Sequence, residues 1–98
     1  MGKTIIFGQF EWDEDKEREN IKKHGIDFET AARAFLDPNR VIVVDEKHSK
    51  SESRSFCIGQ SGDHILTVRY TYRSQIRIFG AGCWRKERRF YEEKNKKK

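Results

Sequence analysis

The 98-residue sequence has two cysteines, one proline and no long apolar run. Cys57 and Cys83 match no CxxC or Cys/His spacing, so we expect two buried thiols and no zinc site, although spacing alone leaves a disulfide between them open. Without an 18-residue apolar run or an N-terminal signal pattern, we predict a cytoplasmic protein that does not bind membranes. Because there is no repeat or low-complexity linker, we expect one domain over residues 1–94 and a basic, frayed tail over 95–98.

Charge is abundant but unevenly distributed. Residues up to Trp84 include 13 basic and 13 acidic side chains, whereas those from Arg85 onward include 8 basic and 3 acidic ones, so the net charge of +5 lies in the last stretch. A neutral body with a basic C-terminal segment favours docking on a polyanion or on an acidic protein, and composition leaves both open. The 35% hydrophobic content predicts a thin core, and 12% aromatic residues argue against disorder.

The N-terminal part predicts one strand and a first helix. Ile5–Trp12 has strand character, and Asp13 is a good N-cap for a helix that ends at Gly25. Acidic residues fill the first turn and basic ones the last, as the helix dipole favours. Ile21 is the only large apolar residue of this helix, so we expect the helix to lie across a surface.

A second helix is predicted after Asp27, and it ends at Asp37-Pro38-Asn39. Its apolar residues recur with helical spacing, which predicts a stripe that faces the core. The stripe consists of Phe28, Ala31, Ala32, Phe35 and Leu36.

Four further strands and a third helix are predicted after the second helix. The strands are Val41–Asp45, Ser55–Gly59, Ile65–Tyr72 and Gln75–Gly80, and the helix is Arg85–Glu93. This order predicts an α+β fold: a small antiparallel sheet with two N-terminal helices and a C-terminal helix. Arg54, Arg69 and Arg77 converge on one polar sheet face if the strand registers allow it, and register is not readable from sequence.

An ordered series of motifs runs along the chain. It comprises Phe10-Glu11-Trp12-Asp13, Lys16, Asn20, Lys23-His24-Gly25, Phe28-Glu29, Ala32, Phe35, Asp37, His48, Glu52, Arg54, Glu87-Arg88 and Tyr91. With these motifs the chain resembles the BrnT family over about nine tenths of its length. The resemblance implies a RelE-like toxin of a type II toxin–antitoxin pair, a ribonuclease that blocks translation. It also implies a BrnA-type antitoxin, RNA as substrate, and operator DNA bound only through the antitoxin.

One segment departs from the family pattern. Members commonly follow the last strand with Ser-Ala-Arg, whereas this chain has Gly80-Ala81-Gly82-Cys83-Trp84. Either the site is rebuilt with Trp84 and Arg85, or catalysis is weakened. In the second case, the alternative function is a binding module that acts with its antitoxin as a DNA-binding corepressor.

The implied chemistry is attack of a ribose 2′-OH on the neighbouring phosphodiester. It needs a base, an acid and a cationic clamp, and no metal or cofactor. Arg54 and Arg77 are the predicted clamp, because a guanidinium fork holds two phosphate oxygens; alternatively, both are ordinary strand arginines paired with Glu52 or Asp45. His48 is the candidate acid or base. Glu52 is either the base or, as we favour, the residue that orients Arg54.

Substrate binding is predicted at a further set of residues. Trp84 offers a face for base stacking beside Arg85 and Lys86, or it pins the third helix to the sheet. Arg85, Lys86 and Arg88 are candidate phosphate contacts or the surface that an acidic antitoxin meets. Arg69 joins the set through its place on the polar sheet face.

Overall fold

The computed structural model describes residues 2–48 and 52–96, except for the side chain of His48. In this part of the chain the strands are β1 (Thr4–Phe7), β2 (Phe10–Asp13), β3 (Val41–Val44), β4 (Arg54–Ser61), β5 (His64–Tyr72) and β6 (Ile76–Gly82). The helices are α1 (Glu14–His24), α2 (Phe28–Arg33) and α3 (Arg85–Lys94), with 3-10 turns at Ala34–Leu36 and Glu46–His48. The predicted α+β class is confirmed, whereas the likeness to RelE stays a prediction.

The strands form one sheet in the order β1-β2-β6-β5-β4-β3. The four strands predicted after the second helix pair antiparallel in chain order, β3 to β6, as expected. The sheet as a whole is mixed, because β2 pairs with β6 in parallel. The single strand predicted over Ile5–Trp12 is a hairpin of β1 and β2 that turns at Gly8, whose φ is 61°. Glycine adopts this left-handed conformation without steric cost, so the turn fits where a continuous strand was expected.

Helix α1 has the predicted ends. The Asp13 carboxylate accepts a hydrogen bond from the Asp15 backbone N–H at 2.8 Å, and Gly25 ends the helix with φ 70°. Ile21 is 45% exposed, as expected of a surface helix. The buried residue of α1 is Asn20, whose side chain donates to the Ile26 carbonyl and accepts from the Ala81 N–H. Asn20 therefore fastens α1 to β6.

The second predicted helix is shorter and tighter than expected. After Arg33 it continues as a 3-10 turn, in which Ala34 is buried and Leu36 is 76% exposed. A 3-10 turn has three residues per turn, so positions beyond Arg33 rotate away from the α-helical stripe. The expectation that Leu36 faces the core is therefore wrong, while Phe28, Ala31 and Ala32 are confirmed as core residues.

The core lies between α1, α2 and one face of the sheet. Its members are Trp12, Phe28, Ala31, Ala32, Ala34, Cys57, Leu66, Val68, Ile78 and Ala81. Glu17 ties the layers together, since its carboxylate accepts from the Trp12 indole at 3.0 Å and from the Phe28 backbone N–H at 2.9 Å. Both cysteines are free, but only Cys57 is buried, so the expectation of a buried Cys83 is wrong.

Helix α3 packs on the opposite face of the sheet, over Val43, Phe56 and Ile58. Its Tyr91 hydroxyl donates to the Asp37 carboxylate at 2.6 Å, which anchors the helix to the turn before β3. The Asn95 side chain donates to the Asn39 carbonyl, and Lys97 and Lys98 of the predicted tail lie outside the described residues. No helix among the described residues is long and apolar enough to span a membrane.

Candidate functional site

Four polar side chains lie in one row across the sheet. The strand registers pair Arg54 of β4 with Thr71 of β5, Thr71 with Arg77 of β6, and Arg77 with Glu11 of β2. Paired residues of neighbouring strands point to the same face, so the row lies on the face opposite α1 and α2. Arg54 and Arg77 are two strands apart, about 10 Å between Cα atoms. The structure thus brings the two predicted clamp residues together.

The row borders a cleft of about 330 Å³. Its lining consists of Asp13, Lys16, Glu52, Arg54, Thr71, Arg73, Arg77, Ile78 and Phe79. Four of these side chains are cationic and two are carboxylates, one of which, Asp13, accepts the capping hydrogen bonds of α1. The cleft therefore concentrates positive charge, which suits an anionic ligand. Among the described residues, no cluster of three or more His, Cys, Asp or Glu side chains is placed to hold a metal ion.

Arg77 is held by a short ion pair. Its Nη1 lies 2.7 Å from Oε2 of Glu11, and the two side chains are 24% and 18% exposed. A half-buried, charge-assisted hydrogen bond restricts the guanidinium more than a surface pair does. The sequence alone did not indicate that Glu11 pairs with Arg77, because the two residues are 66 positions apart along the chain.

Glu52 binds an arginine that the sequence did not single out. Its carboxylate accepts three hydrogen bonds from Arg73, at 3.1 to 3.3 Å. We expected Glu52 to orient Arg54; the structure places its carboxylate on Arg73, at the wall of the same cleft. The His48 side chain lies outside the described residues, so its place relative to the cleft stays a prediction.

The Phe79 ring lines this cleft and lies close to two arginines of the polar face. Cζ of Arg54 lies 4.8 Å from the ring centroid, and Cζ of Arg69 lies 5.8 Å from it. Both distances are within the range of a cation–π interaction. Arg69 also borders a second cleft of about 280 Å³ together with Phe56, Thr67, Trp84 and Glu87. Arg69 therefore borders the second cleft and packs against the Phe79 ring, which lines the first.

Trp84 occupies the start of α3. Its ring meets His24 edge-on, with 5.3 Å between ring centroids, and it is 39% exposed. A Cβ atom at Gly82 would lie 2.5 Å from the Trp84 ring, so the glycine provides the space for the indole. The contact with Gly82 of β6 supports the interpretation that Trp84 pins α3 to the sheet, and Trp84 also lines the second cleft.

The remaining predicted binding residues are on α3, outside the row. Arg85 and Arg88 border a third cleft of about 230 Å³ with Asp63, His64 and Cys83. Lys86 borders the apolar groove between α3 and β3. None of the three lines the cleft of Arg54 and Arg77.

The segment that departs from the family pattern continues β6. A Cβ atom at Gly80 would lie 3.1 Å from Nε of Arg69, so Gly80 makes room for the Arg69 side chain. Arg85, which would help to rebuild the site under the first of the two alternatives, lines the third cleft and not the cleft of Arg54 and Arg77. Arg69 is thus the cation that packs against Gly80 of the altered segment, while Arg88 lies near Cys83 at its other end.

A mixed sheet with a cationic cleft on the face opposite α1 and α2 defines an α+β protein suited to a polyanionic ligand. The family model described as "Ribonuclease toxin, BrnT, of type II toxin-antitoxin system" matches residues 12–87. The chain therefore belongs to the BrnT family of ribonuclease toxins, and a type II system implies an antitoxin partner. A search of curated proteins finds no match to the chain.

Proposed function

We propose that this chain is an endoribonuclease toxin that cleaves RNA in the cleft between Arg54 and Arg77. The single observation that carries the proposal is that Arg54 and Arg77 lie in one row of paired residues, on the sheet face opposite α1 and α2. Cleavage of RNA in the cytoplasm inhibits translation, and a BrnA-type antitoxin neutralises the toxin. Operator DNA is contacted only through that antitoxin.

The two arginines clamp the scissile phosphate. Each guanidinium offers a fork of N–H donors and keeps its charge at any working pH, so it meets the extra negative charge of the phosphorane. Glu11 holds Arg77 by the 2.7 Å ion pair, which fixes one side of the clamp before RNA arrives. Attack by the ribose 2′-OH supplies the nucleophile from the substrate, so the proposed reaction needs neither metal nor cofactor.

Glu52 and His48 are the two candidates for the general acid and the general base. Glu52 lines the cleft and accepts hydrogen bonds from Arg73, which places a carboxylate near the clamp. His48 lies four residues earlier, and histidine exchanges protons near neutral pH. Variants of each residue, compared across a pH series, assign the base and the acid.

The flanking RNA extends along the polar face toward α3. Arg69 and Trp84 border the second cleft, where a cation and an exposed aromatic edge suit single-stranded RNA. Arg85, Lys86 and Arg88 provide further positive charge on α3 for phosphates or for an acidic antitoxin.

Induced expression in a bacterial host tests this function. We expect growth arrest and new RNA 5′ ends, both relieved by co-expression of the antitoxin gene. Arg54→Ala and Arg77→Ala should abolish both effects, yet still bind antitoxin. The matched control is Arg33→Ala, because Arg33 lies on α2, away from the cleft, with a side chain that is 64% exposed in a surface ion pair with Glu29.

Other outcomes would contradict the proposal. Harmless expression of folded wild-type protein, with no new RNA ends, would favour the corepressor function, in which the toxin–antitoxin complex binds operator DNA. Full toxicity of both arginine variants would contradict the site. Loss of cleavage by the purified protein in EDTA would contradict a metal-independent mechanism.

A further inference from the structure

The polar face contains a β-bulge at Phe79. Arg69 of β5 pairs with Gly80 of β6, but Tyr70 pairs with Ile78, so Phe79 is an extra residue on β6. A bulge interrupts the alternation of side chains and turns one of them in a new direction. Here the redirected side chain is the ring that contacts Arg54 and Arg69.

We propose that Phe79 is a positioning residue whose ring fixes Arg54 and Arg69 relative to each other, so that they bind two phosphates of one RNA strand. This inference rests on the proposed function, because it assigns the ring a task in binding the same substrate. Arg54 acts in the first cleft, and Arg69 acts at the border with the second.

Gly80 supports this arrangement from the backbone. Because a Cβ atom there would lie 3.1 Å from Nε and 3.2 Å from Nη2 of Arg69, the guanidinium rests directly over the glycine. Arg69 is otherwise an exposed strand residue with a flexible side chain. Contact with both the ring and the glycine restricts its conformations, which lowers the entropy lost when RNA binds.

The expected size of the effect follows from the interaction strength. Cation–π contacts at partly exposed sites correspond to about a 3- to 30-fold change in binding or rate. The loss of the ring should therefore impair cleavage without abolishing it, in contrast to the loss of Arg54 itself.

Single-turnover cleavage of a defined RNA tests the role of the ring. Phe79→Leu keeps apolar volume but removes the π face, and we expect its cleavage rate to fall about 3- to 30-fold. Phe79→Tyr keeps the π face and should stay within about twofold of wild type. The matched control is Phe90→Leu, since Phe90 also lies beside a cation, Lys94 at 5.4 Å, but on α3. Phe90→Leu should cleave like wild type.

A second pair of measurements separates positioning from a general structural role. Gly80→Ala should displace Arg69 alone, because the crowded atoms belong to the tip of a flexible side chain. If Phe79 acts through Arg69, the combined loss in Phe79→Leu/Arg69→Ala is smaller than the product of the single losses. The side-chain Nε–H resonances of Arg54 and Arg69 should also shift in Phe79→Leu and stay unchanged in Phe90→Leu.

The outcomes distinguish this inference from the proposed function. If Arg77→Ala is inactive but Phe79→Leu equals wild type, the function stands and the positioning role is overturned. If wild type does not cleave RNA, the proposed function fails, and binding of a non-cleavable 2′-O-methyl RNA decides the positioning role. Weaker binding by Phe79→Leu, restored in Phe79→Tyr, supports it; equal binding by all three proteins overturns it.

Discussion

The two faces of the sheet differ in how their residues are held. On the face under α1 and α2, Cys57, Leu66, Val68 and Ile78 are each at most 1% exposed. On the other face, Arg54, Thr71 and Arg77 line an open cleft. The same strands supply both sets through simple alternation, so burial on one face fixes the positions of charges on the other.

The difference between the faces explains how a small, highly charged chain can be stable and still present a cationic cleft. The apolar face stabilises the fold through packing, which tolerates no change of register. The polar face contributes less to stability and is free to concentrate like charges, which cost free energy unless an anion or a carboxylate is near. Glu11 and Glu52 provide such carboxylates inside the site.

Removal of an aromatic ring from the core should have the largest effect on stability. Phe28 is fully buried, and its ring packs edge-on against Trp12 with 5.9 Å between centroids. Phe28→Ala should lower the free energy of unfolding by about 3–5 kcal/mol, because it removes apolar contacts and leaves a cavity. Urea denaturation measures this loss, and antitoxin binding should be lost together with cleavage. A loss below about 1 kcal/mol would contradict the assigned core.

Removing a clamp residue should have a large effect on activity and a smaller one on stability. Arg77→Ala should lower the cleavage rate by about 10²–10³-fold, as expected for the loss of a donor to transition-state charge. Glu11→Gln should give a smaller loss, since Arg77 keeps its charge but loses its fixed orientation. Cleavage assays on proteins that retain wild-type circular dichroism spectra measure both effects. Equal activity of wild type and Arg77→Ala would place the site elsewhere.

The contact between α3 and the Asp37 turn gives a pH-dependent prediction. Burial opposes ionisation of Asp37, but hydrogen bonds from Tyr91 and from the backbone of Gln60 and Asn39 outweigh it and lower the pKa of Asp37 below 3.8. Burial and the Asp37 carboxylate raise the pKa of Tyr91 from 10.0 to about 12. Tyr91→Phe should lower the free energy of unfolding by about 1.5–3 kcal/mol near neutral pH.

The sign of each shift sets the pH window. The Asp37 contribution is fully present above its unfolded pKa and is lost as pH falls through the folded pKa, so the difference between wild type and Tyr91→Phe should shrink in strong acid. The Tyr91 contribution is present below pH 10 and is lost as pH rises toward 12. Urea denaturation at pH 3, 7 and 11 measures these differences. A constant difference across the series would contradict the assigned hydrogen bond.

The smallest effect is expected at the end of the predicted apolar stripe. Leu36 is 76% exposed, so Leu36→Gln should change the free energy of unfolding by less than about 0.5 kcal/mol. Thermal denaturation checks this against Phe28→Ala, which lies on the same predicted stripe. A loss comparable to that of Phe28→Ala would show that Leu36 packs in the core.

Local signals predicted much of the fold. The caps Asp13 and Gly25, the exposure of α1 and the core face of α2 follow from residue type and helical spacing, and the structure confirms them. The 3-10 turn at Ala34 and the hairpin at Gly8 were missed. At both places the same residues fit two backbone conformations, and tertiary packing selects one.

The candidate site was only partly predictable. Arginines on alternating strand positions indicated a polar face, but the row of Arg54 and Arg77 depends on registers that no local pattern encodes. Glu11 reaches Arg77 through the parallel pairing of β2 and β6, which joins distant segments of the chain. The bulge at Phe79 has no sequence signature beyond the glycine that follows it.

RNA cleavage through Arg54 and Arg77, on the sheet face opposite α1 and α2, is the function proposed above. The most direct measurement is single-turnover cleavage of a defined RNA by the purified protein, with Arg54→Ala, Arg77→Ala and Arg33→Ala compared at equal concentration. We expect cleavage by wild type and Arg33→Ala, and at least about a 100-fold lower rate in Arg54→Ala and Arg77→Ala. Equal cleavage by all four proteins would contradict it.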